Sequence, residues 1–187
     1  MCARSLPIFA FLALLLCSTA TLQAADNDEV WLLIDTPSLS LSVMRGDRPL
    51  EIFHNISIGR NGTSLHKRHG DDTTPLGDYR IDRINPTSRF RKFYRINYPS
   101  SEDAKRAFKA GLIDLATFRQ LIQAVIFERP PPQNTILGGY IGIHGLGSAD
   151  PDIHQQLNWT HGCVALTNEQ IDRLDRWIKI GMRVLLR

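Results

Sequence analysis

Between Val30 and Ile58 the chain repeats short extended segments closed by turns. Leu39, Leu41 and Val43 alternate with Ser40, Ser42 and Met44. A strict period of two buries one face of a strand, whereas a helix buries a stripe at steps of three and four. Val30–Asp35 is a branched, apolar run just before it. Arg45-Gly46-Asp47-Arg48-Pro49 reads as a turn, and Leu50–Ile58 resumes the extended pattern. The three segments predict a meander. Tyr79–Ile84, Phe93–Ile96, Gly138–Ile143 and Arg183–Arg187 add further strands. Residues Gly59–Thr74 are rich in glycine and charge, which predicts an exposed loop.

The pattern switches to helix at Ser100 and Ser101, both cap candidates. Ala104, Ala107, Phe108 and Gly111 share a face. A second helix runs from Asp114, its N-cap, to Phe127, with Leu115, Phe118, Leu121, Ile122 and Val125 as its apolar stripe. Pro130-Pro131-Pro132 stops it. Thr167 and Gln170 form a capping box for a last helix, which carries Ile171, Leu174 and Ile178 and ends at Gly181. The expectation is a mainly β fold with a helical hairpin, Ser100–Phe127, inserted between sheet segments. No internal repeat, linker or second domain is expected.

The first 25 residues stand apart. Arg4 precedes an apolar run from Leu6 to Cys17, and the small residues Ser18, Ala20, Ala24 and Ala25 follow. That order is a secretory signal peptide, and the run is too short to span a bilayer. The expected division is a signal peptide at 1–25, cleaved near Ala24 or Ala25, and one domain at 26–187, exported to the periplasm with no stable membrane insertion. A lipoprotein site at Cys17 is disfavoured by the bulky Leu16 before it. Composition agrees with a folded domain: 43% hydrophobic and 22% charged, with 22 Lys+Arg against 19 Asp+Glu. Collagen, coiled coil and polytopic membrane protein are excluded. No dense basic stripe suggests nucleic acid.

Cleavage removes Cys2 and Cys17 and leaves Cys163 alone, unable to form an internal disulfide. Burial among apolar residues is the common fate of such a cysteine, but its neighbours point elsewhere. His144-Gly145 ends a strand, and Thr160-His161-Gly162-Cys163 follows a loop from Gly145 to Trp159. A cysteine attacks carbonyls as the thiolate and needs a partner for its proton, a task imidazole suits. His161, two positions away, shares a face with Cys163 if the segment is extended. His144 reaches it across the sheet. Spacing does not choose between them. Backbone N–H groups near Gly162 and Cys163 are candidate oxyanion donors. The alternative, a zinc site of His144, His154, His161 and Cys163, lacks any metal-ligand spacing, so no metal and no cofactor are expected.

These residues resemble the L,D-transpeptidase catalytic domain (YkuD-type), cysteine enzymes of bacterial peptidoglycan. The pattern is His144-Gly145 with Thr160-His161-Gly162-Cys163, joined by Thr74-Pro75-Leu76-Gly77-Asp78-Tyr79-Arg80-Ile81 and by Ile58-Gly59-Arg60. The resemblance implies an antiparallel β-sandwich with peripheral helices. It implies Cys163 as nucleophile and His144 as proton acceptor and donor, oriented by a backbone carbonyl near Gly145. His161 and Gly162 would shape the site. Thr160, Trp159, Arg60 and Thr74 are the substrate-side candidates. One departure is Ala165, where many relatives carry Arg.

The implied activity is L,D-transpeptidation on peptidoglycan stem peptides through a Cys163 acyl-enzyme, the acceptor being another stem peptide or a wall-anchored protein. The alternative is an L,D-carboxypeptidase or hydrolase on the same acyl-enzyme, trimming wall peptides or detaching wall-bound protein. A non-catalytic wall-binding protein has only Ala165 in its favour. His54, His66 and His69 read as solvated or surface histidines, Tyr140 and Trp177 as core, and Trp159 as a wall of the site.

Overall fold

The computed structural model describes residues 29–187. The expected signal peptide lies outside the described residues. In chain order the elements are β1 (Val30–Asp35), β2 (Ser40–Arg45), β3 (Arg48–His54), β4 (Thr63–Ser64), β5 (Thr74–Pro75), β6 (Gly77–Ser88), β7 (Arg91–Ile96), α1 (Ser101–Lys109), α2 (Leu115–Ile126), β8 (Gly142–His144), α3 (Pro151–Gln156), β9 (Val164–Ala165), α4 (Asn168–Asp175) and β10 (Arg183–Leu186).

Eight strands form one hydrogen-bonded series in the order β3-β2-β1-β10-β6-β7-β8-β9. Its pairs are antiparallel except β1 with β10 and β8 with β9. Strand β6 joins the two halves. Its first residues, 77–80, pair with β10, and the remainder pairs with β7. Leu32 and Ile34 of β1, Leu41 and Val43 of β2, Tyr79 and Ile81 of β6, Tyr94 of β7 and Ile143 of β8 all enter one core. The alternation read at Leu39–Met44 does not divide β2 into a buried and an exposed face: Ser40, Ser42 and Met44 are buried along with Leu41 and Val43. The mainly β class with a helical insertion is observed as expected.

The hairpin α1–α2 forms for the reasons its sequence advertises. Ser100 and Asp103 make a reciprocal capping box, and Asp114 caps α2 through the Thr117 N–H. Phe108 stacks on Phe118 between the helices, with ring centroids 4.8 Å apart. Only part of the predicted apolar stripe is covered. Leu121 is buried and Phe118 and Ile122 pack on the core, while Leu115 and Val125 stay exposed.

Three features depart from the sequence reading. The strand expected at 138–143 is confined to β8, because Gly138 and Tyr140 take positive φ, +78° and +57°. The segment 145–159 is not all loop: Asp150 caps a short helix, α3, with Pro151 at its start. The loop 59–74 is not uniformly exposed either. Its ends pair as β4 and β5, and Lys67 and Thr74 are buried at 4% and 0% exposure.

Helix α4 braces the elements around the chemistry. Thr167 and Gln170 make its capping box. Asp172 binds Arg91 and Lys92, and Asp175 binds Lys92 and the Tyr94 hydroxyl, so the helix grips β7. Asn168 brackets Gly147 with two hydrogen bonds of 2.9 Å. A Cβ on Gly147 would lie 2.1 Å from the Arg89 carbonyl oxygen, and its φ of +62° already disfavours an L residue. Gly147 therefore lets the 145–147 segment lie against the β6–β7 turn. Gly147→Ala should cost about 1–3 kcal/mol, read as a lower urea midpoint at unchanged slope. An unshifted midpoint would mean that the turn moves aside freely.

Candidate active site

His144 and Cys163 line one cleft of about 660 Å³, together with Arg60, Ser88, Arg89, Phe90, Phe93, Tyr140, Ile141, Trp159, Thr160 and His161. They meet because β8 and β9 are parallel neighbours. Ile143 is opposite Val164 and His144 is opposite Ala165, so Cys163 enters β9 beside the strand that ends in His144. The other side of the cysteine segment is held by residues 57–60. Ser57 and Ala165 exchange backbone hydrogen bonds of 3.0 and 2.8 Å, and Thr160 bonds Ile58 and Arg60.

The His144 imidazole has a fixed tautomer. Its Nδ1 lies 2.7 Å from the Gly145 carbonyl oxygen. A carbonyl only accepts, so Nδ1 carries the hydrogen and Nε2 keeps its lone pair. The ring is held between aromatic neighbours: Phe90 at 4.4 Å and Trp159 edge-on at 6.0 Å between centroids. Trp159 is itself anchored by donating its indole N–H to Nδ1 of the buried His154 at 3.3 Å. His154 thus stands behind the wall of the cleft and not in it.

Burial decides the charge state of both groups. Desolvation pushes the imidazole of His144 down to about 4, with His154 and Arg89 adding to the fall and the Gly145 bond opposing it. Desolvation also pushes the Cys163 thiol up to about 11, against a backbone hydrogen bond at Gly142 and the charge of Lys67. At neutral pH the pair is a thiol and a neutral imidazole. This environment does not favour a resting thiolate. The thiol donates to the Tyr140 carbonyl at 3.5 Å.

His161 lines the cleft with Cys163 but is paired elsewhere, with Asp72 and Arg60. Gly162, between His161 and Cys163, has φ +124°, which breaks the alternation that the extended reading assumed. The His161 side chain is 77% exposed, with Nδ1 2.7 Å from an Asp72 oxygen. Arg60 completes this rim cluster, 3.2 Å from the His161 ring and 3.4 Å from Asp72. The tight turn is built by Thr160, whose hydroxyl donates to the Cys163 carbonyl at 2.6 Å and accepts the Gly162 N–H at 3.1 Å. That occupies the Gly162 N–H, one of the two expected oxyanion donors. A Cβ on Gly162 would fall 2.5 Å from the Thr73 carbonyl oxygen, so only glycine lets the loop approach.

Two expected placements are corrected. Thr74 is fully buried and accepts the Gly59 N–H at 2.8 Å, so it supports the loop and does not line the cleft. Tyr140 is not core; its positive φ turns the ring outward, 66% exposed, on the cleft rim. Trp177 is half-buried against the core. His54, His66 and His69 are exposed. Ala165 is fully buried. Among the described residues no group of three His, Cys, Asp or Glu is placed to hold a metal.

Sequence reasoning missed Arg89, Phe90 and Lys67. Lys67 Nζ bonds Asp71 at 2.8 Å and the His161 carbonyl at 3.4 Å, beneath the cysteine turn. No motif marks these three. The only signal is general: a turn between two predicted strands, and a charge-rich loop that happens to fold inward.

The buried imidazole makes a prediction. Between about pH 6.5 and 4 the unfolded chain binds a proton at His144 that the folded chain excludes. Stability therefore falls as pH falls through that window, by on the order of 3 kcal/mol from this residue. Urea unfolding at pH 7 and 4.5 should show a clearly smaller pH difference for His144→Phe than for the unmodified protein. Equal differences would contradict the assigned burial of the neutral ring.

Comparison with known proteins follows the same lines. A search of curated proteins returns no match. Among solved structures the fold is shared with the helical cell shape determining protein Pgp2 from Campylobacter jejuni, at 20% identity and TM-score 0.57, covering 85% of this chain and 47% of that one. It is also shared with Bd1075 from Bdellovibrio bacteriovorus, at 18% identity and TM-score 0.54, covering 86% and 48%. This chain thus spans about half the length of either. The family model for the YkuD L,D-transpeptidase catalytic domain matches residues 29–186. With nearly all of the described chain inside that match, the protein belongs to the L,D-transpeptidase catalytic domain family.

Proposed function

We propose that this chain is an exported cysteine acyltransferase that acts on peptidoglycan stem peptides, with Cys163 as nucleophile and His144 as the acid–base group. The observation that carries the reading is a neutral imidazole, its lone pair on Nε2, lining the same apolar cleft as the thiol. Family membership supports the substrate class. Residues 1–25 support export to the periplasm, with the domain at 26–187. No helix among the described residues is long and apolar enough to cross a membrane.

The chemistry follows from the charge states. The substrate carbonyl, between the third stem residue and the D-residue after it, approaches Cys163. Sulfur attacks the carbonyl carbon as its proton passes to His144 Nε2, so the thiolate exists only during attack. The Cys163 N–H is the oxyanion donor in this reading, because the Gly162 N–H is held by Thr160. The C–N bond breaks, His144 returns the proton to the leaving amine, and a thioester remains. An acceptor amine then attacks the thioester, loses a proton to His144, and releases the sulfur, which takes that proton back. The acceptor in this reading is another stem peptide or a wall-anchored protein. Thr160, Trp159 and Arg60 serve the substrate side, Thr160 by shaping the turn. His161, with Asp72 and Arg60, forms part of the rim.

Cys163→Ala should lower turnover of a defined tetrapeptide by at least about a thousandfold, and mass spectrometry should find the acyl adduct of the unmodified protein on Cys163. Undiminished turnover in the alanine variant would end the proposal. Product analysis also identifies the acceptor: a cross-linked dimer requires an amine, whereas a trimmed monomer means water and the hydrolase reading.

A second test addresses the resting thiol. Iodoacetamide should label Cys163 slowly at pH 7, and the rate should climb about tenfold per pH unit toward pH 10. A plateau already reached by pH 7 would mean a preformed thiolate.

A further inference from the structure

The turn joining β6 to β7, Ser88 to Phe90, forms one wall of the cleft. Phe90 lies against the His144 imidazole, and the Arg89 guanidinium sits over the Phe90 ring at 4.7 Å. The turn therefore delivers a cation one aromatic ring away from the acid–base group. The turn is held by its neighbours. Gly147 packs on the Arg89 carbonyl, and Arg91 just beyond is held by both carboxylate oxygens of Asp172 at 2.8–2.9 Å.

The charges nearby make Arg89 stand out. Arg91 and Lys92 are paired with acids of α4, and Arg60, also lining the cleft, is paired with Asp72. Among the described residues Arg89 has no ion pair. No Asp or Glu lines the cleft, whose other walls are largely Phe90, Phe93, Tyr140, Ile141 and Trp159. A planar guanidinium with no internal acid, at the edge of an apolar cleft, is suited to a carboxylate from outside.

The direction of the reaction says which carboxylate. The leaving amine must reach His144 to collect its proton, so the leaving residue lies on the His144 side. Its α-carboxylate is only two bonds beyond that amine. Arg89, over the Phe90 ring that lies against His144, stands on that side.

We infer that Arg89 binds the free α-carboxylate of the leaving D-residue and so restricts the enzyme to donor peptides that end there. The inference rests on the acyltransfer reading above. It makes Arg89 a specificity-determining residue, in contact with substrate but taking no part in proton transfer.

The test uses two donors, a tetrapeptide with a free C-terminal carboxylate and the same peptide as its C-terminal carboxamide. The purified protein should prefer the carboxylate by about 10- to 100-fold in kcat/KM, the range of a charge-assisted, bidentate pair. Arg89→Met should lose that preference, falling on the carboxylate donor and staying within about twofold on the carboxamide. Arg89→Lys, a point charge without the planar fork, should restore part of it. An unchanged preference in Arg89→Met overturns the inference. So does an equal fall on both donors, which would mark a merely structural role. If the unmodified protein forms no Cys163 acyl adduct with either donor, the acyltransfer reading fails and the inference with it, and the missing adduct distinguishes that case.

Discussion

The parallel pairing of β8 with β9 is the constraint on which the site depends. Parallel strands align end with end, and these are so short that the residue just before β9 still lies within two register positions of the end of β8. Here that places His144 at the end of β8 and Cys163 at the entrance to β9. Such a pairing requires a crossover, and the chain supplies one in residues 145–163. The pair is short, only two registered positions, so it needs help. Ser57 supplies it by exchanging two backbone hydrogen bonds with Ala165, and Thr160 by bonding residues 58 and 60. The cysteine segment is thus held from both edges. Helix α4 then begins at once, with its cap at Thr167, and its acids lock β7 from below.

Packing also sets the electrostatics. An imidazole between Phe90 and Trp159 is removed from water, which favours its neutral form. A thiol at the floor of an apolar cleft is subject to the same effect. Neither group has a carboxylate to favour its charged form; the nearest acid–histidine pair, Asp72 with His161, lies on the rim. Lys67 is the one buried cation that opposes the rise of the thiol, and its charge is shared with Asp71. The site is built for proton transfer during attack and not for a standing ion pair.

How much of this was legible in the sequence depends on the range of the interaction. Local rules worked well. The caps at Ser100 and Asp114 and the Thr167 capping box rest on hydrogen bonds within a few residues. The strand expected at 138–143 failed because Tyr140 adopts a left-handed backbone, a conformation that tyrosine itself does not suggest. Tyr140 consequently leaves the core to which its size would assign it. Thr74 was misplaced for a different reason. Its hydroxyl satisfies the Gly59 N–H, a contact made only when the 59–74 loop folds back on itself. His161 shows the limit of period-two arguments, since the glycine between it and Cys163, at φ +124°, breaks the alternation. Arg89 is the furthest from prediction: its meaning comes from what surrounds it in space, and nothing in its neighbours along the chain announces it.

Cys163 raises a last point. A free thiol in an oxidising compartment is vulnerable chiefly as the thiolate, the species that oxidants and disulfides attack. If the chain is exported as proposed, a preformed thiolate in an open cleft would carry that risk continuously. Burial that holds Cys163 protonated removes most of the reactive form at rest. The cost is that activation must be delivered by the substrate at the moment of attack, when the proton has Nε2 to receive it and the oxyanion has a backbone N–H. The same desolvation that slows the free thiol strengthens the hydrogen bond to that oxyanion, because both act in a site with little water. One physical term therefore protects the nucleophile between turnovers and assists it within one.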